Sequence, residues 1–298
     1  MDTTTFFAYA RRAPFGGRLS QGQIDGMNII FERWNYFKIA DRRLLAYALA
    51  SVFHETGGRM LPVRETFTKS DNAAIAALDR AFKADRLGSV KTPYWRKDKN
   101  GKSWFGRGDI QITHEINYAK LGKRLGVDLV GNPSLALDPV ISAKIAIVGM
   151  LEGLFTGKRL VDYFSATKND PVGARAVVNG KDKAKLIAGY HKNFLDALDA
   201  AYAAKYDQAR PDDVIVADAK ADNVPVAQSN SIKAIIGTAV AGGGLGVAKD
   251  VADGGASLLG AISNPWAFGS LVFTLIAVGI LVWLLTSGRI TINRTRAA

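Results

Sequence analysis

The stretch from Trp266 to Thr286, WAFGSLVFTLIAVGILVWLLT, contains no charged residue and shows no polar face. About 20 apolar residues in a helix cross the hydrocarbon core of a bilayer, so a run of this length has few other places to go. Trp266 and Trp283 stand near its ends, where indole rings settle at the lipid–water interface, and Arg289, Arg294 and Arg296 follow it. A transmembrane helix over 266–286 with a basic tail over 287–298 is expected. The Lys and Arg bias toward that tail favours a cytoplasmic C-terminus and an outward-facing N-terminal domain. Met1-Asp2-Thr3-Thr4-Thr5-Phe6 lacks the charged-then-apolar pattern of a signal peptide, so this orientation calls for another export route.

Residues 1–205 carry repeated helix punctuation and little period-two alternation, which predicts a mostly α domain. Asp41 can cap a helix bearing Leu45, Ala48, Leu49 and Val52, with Gly57-Gly58 to stop it. Ser70 or Asp71 opens another through Ile75, Leu78 and Phe82. Asp138-Pro139 joins a cap to an N1 proline, and Asp170-Pro171 repeats the device before a short helix ending at Asn179-Gly180. A longer helix from Asp182 runs through Leu186, Tyr190, Phe194 and Leu198. Residues 206–230 read as a linker, and 231–265 as a Gly/Ala-rich juxtamembrane segment.

The chain has no cysteine and only 3 histidines, which removes thiolate chemistry and speaks against a metal site by ligand count. His54-Glu55 does not open a zinc-protease helix, because Gly58 stands where the second histidine must be. A formal net charge of +12 suits an anionic partner. The basic residues are scattered, with no finger or basic-zipper signature, so no nucleic-acid partner is expected.

Two glutamates stand out. Glu55, in Phe53-His54-Glu55-Thr56-Gly57-Gly58, falls at the end of the Asp41 helix, where the helix dipole and burial would disfavour a carboxylate. Glu65, in Pro62-Val63-Arg64-Glu65, lies past the turn, where Arg64 and polar neighbours would keep it ionised. Carboxyls in opposed environments are the minimum machinery for glycoside cleavage. Downstream, Gly106-Arg107-Gly108-Asp109-Ile110-Gln111-Ile112-Thr113 leads into His114-Glu115-Ile116-Asn117-Tyr118. Gln111, Thr113 and Asn117 offer neutral groups suited to sugar hydroxyls and acetamides. Thr113 also fits the N-cap of the helix that follows, and His54 would orient the active-site helix end through a hydrogen bond.

Taken in order, HETGG, RE, GRGDIQIT-x3-NY and VVNG resemble glycoside hydrolase family 19, the chitinase-like family, and more closely its phage endolysin branch. The resemblance runs from about Ala46 to Leu198. It implies a mostly α, lysozyme-like two-lobed cleft domain, followed here by the linker and the C-terminal transmembrane helix, and an inverting mechanism without a cofactor. Glu55 matches the general acid, Glu65 the general base, and Thr113 the hydroxyl that positions water. Gln111, Asn117 and Asn179 fall on substrate-binding positions. Residues 94–101 depart from the usual lead-in to GRG, and a later basic substrate-contacting residue has no counterpart near Lys185. The implied partners are peptidoglycan glycan strands, the membrane, and holin or virion components. The implied location is the bacterial inner membrane with the catalytic domain facing the periplasm, or the virion. Chitin is the alternative substrate, and a holin-like or structural virion protein with a passive hydrolase domain the alternative role.

Overall fold

The computed structural model describes residues 1–88, 90–205, 216–222, 224–225 and 291–292. The chain divides into Met1–Lys220 and Ala221–Ala298. In the second unit the described residues form an antiparallel pair, Val224 opposite Ile292 and Pro225 opposite Thr291. The apolar run 266–286, the segment 231–265, and the basic tail beyond Ile292 lie outside the described residues, as does most of 206–230. No described helix is long and apolar enough to cross a membrane.

The first unit is mostly helical: α1 (Thr3–Arg12), α2 (Gln21–Asn35), α3 (Arg42–Glu55), α4 (Asp71–Lys83), α5 (Glu115–Leu125), α6 (Pro139–Glu152) and α7 (Ala184–Lys205). Its only regular strands among the described residues are β1 (Val63–Arg64) and β2 (Arg107–Gly108), paired antiparallel. Side chains that satisfy orphan amides fix the helix starts. Asp41 accepts from Arg43 N, and Asp138 accepts from Val140 N and Ile141 N ahead of Pro139. Ser20 and Gln23 form a reciprocal capping box on α2. Asp170-Pro171 yields only a 3₁₀ turn, Gly173–Val177, because Asp170 holds the Gly173 amide while Val172 occupies the cap position.

The central element is α3, buried on every side from Leu44 to Val52 and packed against α7 and α6. At about 1.5–3 kcal/mol for each fully buried large apolar side chain, Leu44, Leu45, Tyr47, Leu49 and Val52 hold this helix firmly. Its C-terminus is therefore a rigid place to mount Glu55. Phe6, Phe31, Phe53 and Phe194 join α1, α2, α3 and α7 through edge and stacked ring contacts. On the other side, Trp104, Ile112, Tyr118, Leu121 and Ile145 form one cluster, and Leu78, Trp95 and Phe105 another. Part of the expected linker is docked: Val216–Ala219 form a 3₁₀ turn, and the Asp218 and Lys220 carbonyls accept from the Arg11 guanidinium.

Candidate active site

Glu55 is the last residue of α3, and Gly57 and Gly58, at φ +59° and +78°, turn the chain sharply away from it. Thr56 closes the helix by donating its hydroxyl to Val52 O and accepting from Met60 N. The Glu55 side chain is 18 % exposed, and its Oε1 accepts from Arg175 Nη1 at 2.7 Å. This corrects the expectation of surroundings hostile to a carboxylate: a guanidinium that is itself 4 % exposed faces it. Arg175 Nε donates to Asp182 O at 3.1 Å, so the same side chain ties the loop before α7 to Glu55. Burial lowers the pKa of His54 and leaves it neutral at pH 7. Its ring makes no hydrogen bond to a described residue, so it does not orient the helix end that way.

Glu65 follows β1 and is held by neutral donors. Tyr94 Oη donates to Oε1 at 2.6 Å, and the Gly106 amide donates to Oε2 at 2.7 Å, while Glu65 N donates to Gly106 O. Burial, reinforced by the Glu65 carboxylate, raises the Tyr94 pKa, so the phenol stays a donor through the neutral range. Arg64 does not serve Glu65, contrary to expectation. Successive strand residues face opposite ways, and Arg64 Nε pairs with Asp71 at 2.7 Å. Asp71 also takes Arg107 Nη2 at 2.7 Å; burial opposes ionisation there, but the two guanidiniums hold its carboxyl below the usual range. Arg107 is almost fully buried, donates to Ser103 O and Tyr118 Oη, and lies over the Phe105 ring. That network fixes the loop that follows.

Residues 107–112 form a tight reversal in which Arg107 and Ile112 exchange backbone hydrogen bonds. Gln111, at φ +55°, donates to Val63 O and Gly108 O. A Cβ on Gly106 would lie 3.0 Å from Gln111 Oε1 and 3.3 Å from Glu65 Oε2, so Gln111, Gly106 and Glu65 share one wall. Thr113 does not cap α5. His114 occupies that position at φ +65° without a capping side chain, and its ring packs on Tyr94 at 4.7 Å. Asn117 Nδ2 donates to Thr113 O at 2.8 Å, pinning the segment that carries the Thr113 hydroxyl. Asn179 is exposed; its amide donates to Arg175 O and its side chain accepts from Gly180 N, which puts it with Arg175 rather than with Glu65. Phe67 bridges the two sides: two residues past Glu65, it touches the Gly57 position and takes Arg59 over its ring at 4.4 Å.

Arg175 and Tyr94 are the residues that sequence reasoning missed as partners of the glutamates. Tyr94 sits in the segment noted only as a departure from the family pattern, and Arg175 two residues before the VVNG motif that carries Asn179.

Residues 39–153 match the family model described as chitinase class I. Relatives include endochitinase 4 of Solanum tuberosum and the basic 30 kDa endochitinase of Solanum lycopersicum, each 58% identical over 48 residues. Those alignments cover 16% of this chain, and 16% and 15% of the respective relatives. An endochitinase of Persea americana is 30% identical over 128 residues, covering 36% of this chain and 39% of its own length. The chain thus spans well under half of the relatives it matches. The matched segment takes in Glu55, Glu65, Gln111, Thr113 and Asn117 but stops short of Arg175 and Asn179. Residues 39–153 are therefore similar to glycoside hydrolase family 19, described as chitinase class I.

Proposed function

We propose that this chain is a membrane-anchored, inverting glycoside hydrolase of the phage endolysin type, with a lysozyme-like two-lobed cleft that cuts β-1,4 bonds in peptidoglycan. The observation that carries this reading is the placement of two glutamates within the segment that matches the family, Glu55 at the end of the buried helix α3 and Glu65 on the wall shared with Gly106 and Gln111. Glu65 accepts from two neutral donors and suits the base that takes a proton from water. Glu55 engages Arg175 through Oε1, which leaves Oε2 to carry the proton given to the leaving oxygen. Once that proton has gone, Arg175 stabilises the carboxylate left behind, a contribution largest as charge develops. Thr113 would orient the attacking water, and Gln111, Asn117 and Asn179 would meet sugar hydroxyl and acetamido groups. No cofactor takes part in these steps.

Peptidoglycan is favoured over chitin by the net charge of +12 and by the apolar run 266–286, both suited to an enzyme working between a membrane and an anionic wall. Chitin is the second reading, supported by the relatives, whose names are endochitinases. The domain would face the periplasm from the inner membrane or travel in a virion, with holin or virion components as partners. Protease added to intact spheroplasts should remove the N-terminal domain and spare an epitope placed after Ala298; the opposite pattern reverses the orientation. For the chemistry, mass analysis of fragments from purified peptidoglycan should show cleaved glycan with new reducing ends, and proton NMR of fresh products should show those ends formed in the α configuration. Retention of the β configuration would refute inversion. Turnover of chitin oligomers with none of peptidoglycan would favour the second reading.

A further inference from the structure

A cavity of about 620 Å³ opens beside the segment that holds Glu55's partner. It lies between the 160–176 region and the start of α7, and Gly173 and Ala176, which flank Arg175 in the 3₁₀ turn, form part of its lining. Tyr163, Val172, Ala176 and Leu186 make its walls apolar, and Val172 and Leu186, both lining it, are 43% and 46% exposed. Around the rim stand Lys181, Lys183 and Lys185, all exposed and none in an ion pair with a described residue. Asp170, which accepts from the Gly173 amide, and Asp182, the single acidic residue among the three lysines, offset part of this charge and leave the rim net positive.

We infer that this lysine-rimmed cavity binds the acidic peptide carried on a peptidoglycan glycan strand, and so selects substituted glycan over bare chitin. This deepens the peptidoglycan reading above and rests on it. Chitin is uncharged, so a triple-lysine rim can offer it hydrogen bonds but no ion pair. A wall peptide combines carboxylates with methyl and methylene groups, matching a site with cationic edges and apolar walls. A phosphate polymer would match the lysines and leave Val172 and Leu186 unused. The cavity is also coupled to the chemistry. The loop bearing Lys181 and Lys183 passes through Asp182 O to Arg175 Nε, and Arg175 Nη1 holds Glu55. A peptide seated on the lysines would thereby steady the guanidinium that orients the acid.

The test is titration of full-length Glu55→Gln protein, which binds without turnover, with the anionic peptide N-acetyl-L-alanyl-γ-D-glutamyl-diaminopimelate. Adding Lys181→Gln, Lys183→Gln and Lys185→Gln together should weaken binding by about tenfold or more, and binding before that change should fall with added salt. Leu186→Asp, which sets a carboxylate on the apolar wall, should weaken it as well; unchanged far-ultraviolet circular dichroism and melting exclude misfolding as the cause. With the active glutamate restored, the lysine variant should lose about tenfold in its preference for peptide-bearing over peptide-stripped glycan strands, judged by the ratio of kcat/KM values. Absence of peptide binding, binding indifferent to the lysines, or equal displacement by inorganic polyphosphate would each overturn the inference. If binding follows the lysines but no glycan is cut, the hydrolase reading fails and the binding site stands. If glycan is cut and binding ignores the lysines, the reverse holds.

Discussion

Replacing Asp109 by Asn should change how stability depends on pH more than it changes stability itself. Asp109 lies in the reversal between Gly108 and Gln111 and is 3% exposed, and its Oδ1 has no hydrogen-bond partner among the described residues. Burial pushes its carboxyl up from 3.8 to about 7, partly offset by Ser142, whose hydroxyl also accepts from the Asp109 amide at 2.7 Å. The facing residue from α6 is thus neutral, and the nearby cation, Arg107, is committed to Asp71. A carboxyl whose folded pKa is raised binds its proton more tightly in the folded state. Its favourable contribution is complete below pH 3.8 and is lost as pH rises through about 7. At about 1.36 kcal/mol per pKa unit, the loss between those limits is at most roughly 4 kcal/mol, and water penetration reduces it. Urea unfolding of wild type and Asp109→Asn at intervals from pH 4 to 8 separates this from other effects. The amide can leave a buried donor unsatisfied, at about 1–3 kcal/mol, but that cost is the same at every pH. The gap between the two proteins should therefore shift in the variant's favour by about 2 kcal/mol or more on going from pH 4 to 8. Parallel stability curves would refute the reasoning.

Burial lowers the pKa of His191 from 6.5 to about 4, so its contribution is present above pH 6.5 and lost as pH falls toward 4; His191→Phe, beside Phe164 and Tyr47, should flatten that acid limb by up to roughly 3 kcal/mol in the same titration. Gly106→Ala would press a methyl onto Gln111 and Glu65; melting temperature should change little while kcat falls by about ten- to a hundredfold, and full activity would show that this wall tolerates displacement. Arg175→Gln should cost about a hundredfold in kcat, with Arg175→Lys recovering part of it; an unaffected kcat would place Arg175 outside the reaction.

What could be read from sequence follows the range of each interaction. The caps at Asp41, Ser70 and Asp138 were legible because each acts within three residues, and they place α3, α4 and α6 correctly. Ser20 with Gln23 follows the same short-range logic at the start of α2, whereas α1 rests on a single cap, Asp2 to Thr5 N. Thr113 was misread as a cap because a left-handed residue at His114, which starts α5 one position later, leaves no mark in side-chain chemistry. The glutamates were legible as residue types; their environments were not. Tyr94 and Gly106 reach Glu65 across 29 and 41 residues, and Arg175 reaches Glu55 across 120. The adjacent Arg64 was a natural partner by proximity, but strand alternation turns it to Asp71.

Digestion of purified peptidoglycan by Glu55→Gln protein is the decisive assay of Glu55 as proton donor. Gln preserves the shape of the side chain and can still accept from Arg175 Nη1, but it has no proton to give to the leaving oxygen. The variant's melting temperature should be unchanged, and release of glycan fragments slowed by about 10²–10⁴-fold. Release at more than about a tenth of the wild-type rate, from a correctly folded variant, would contradict that role.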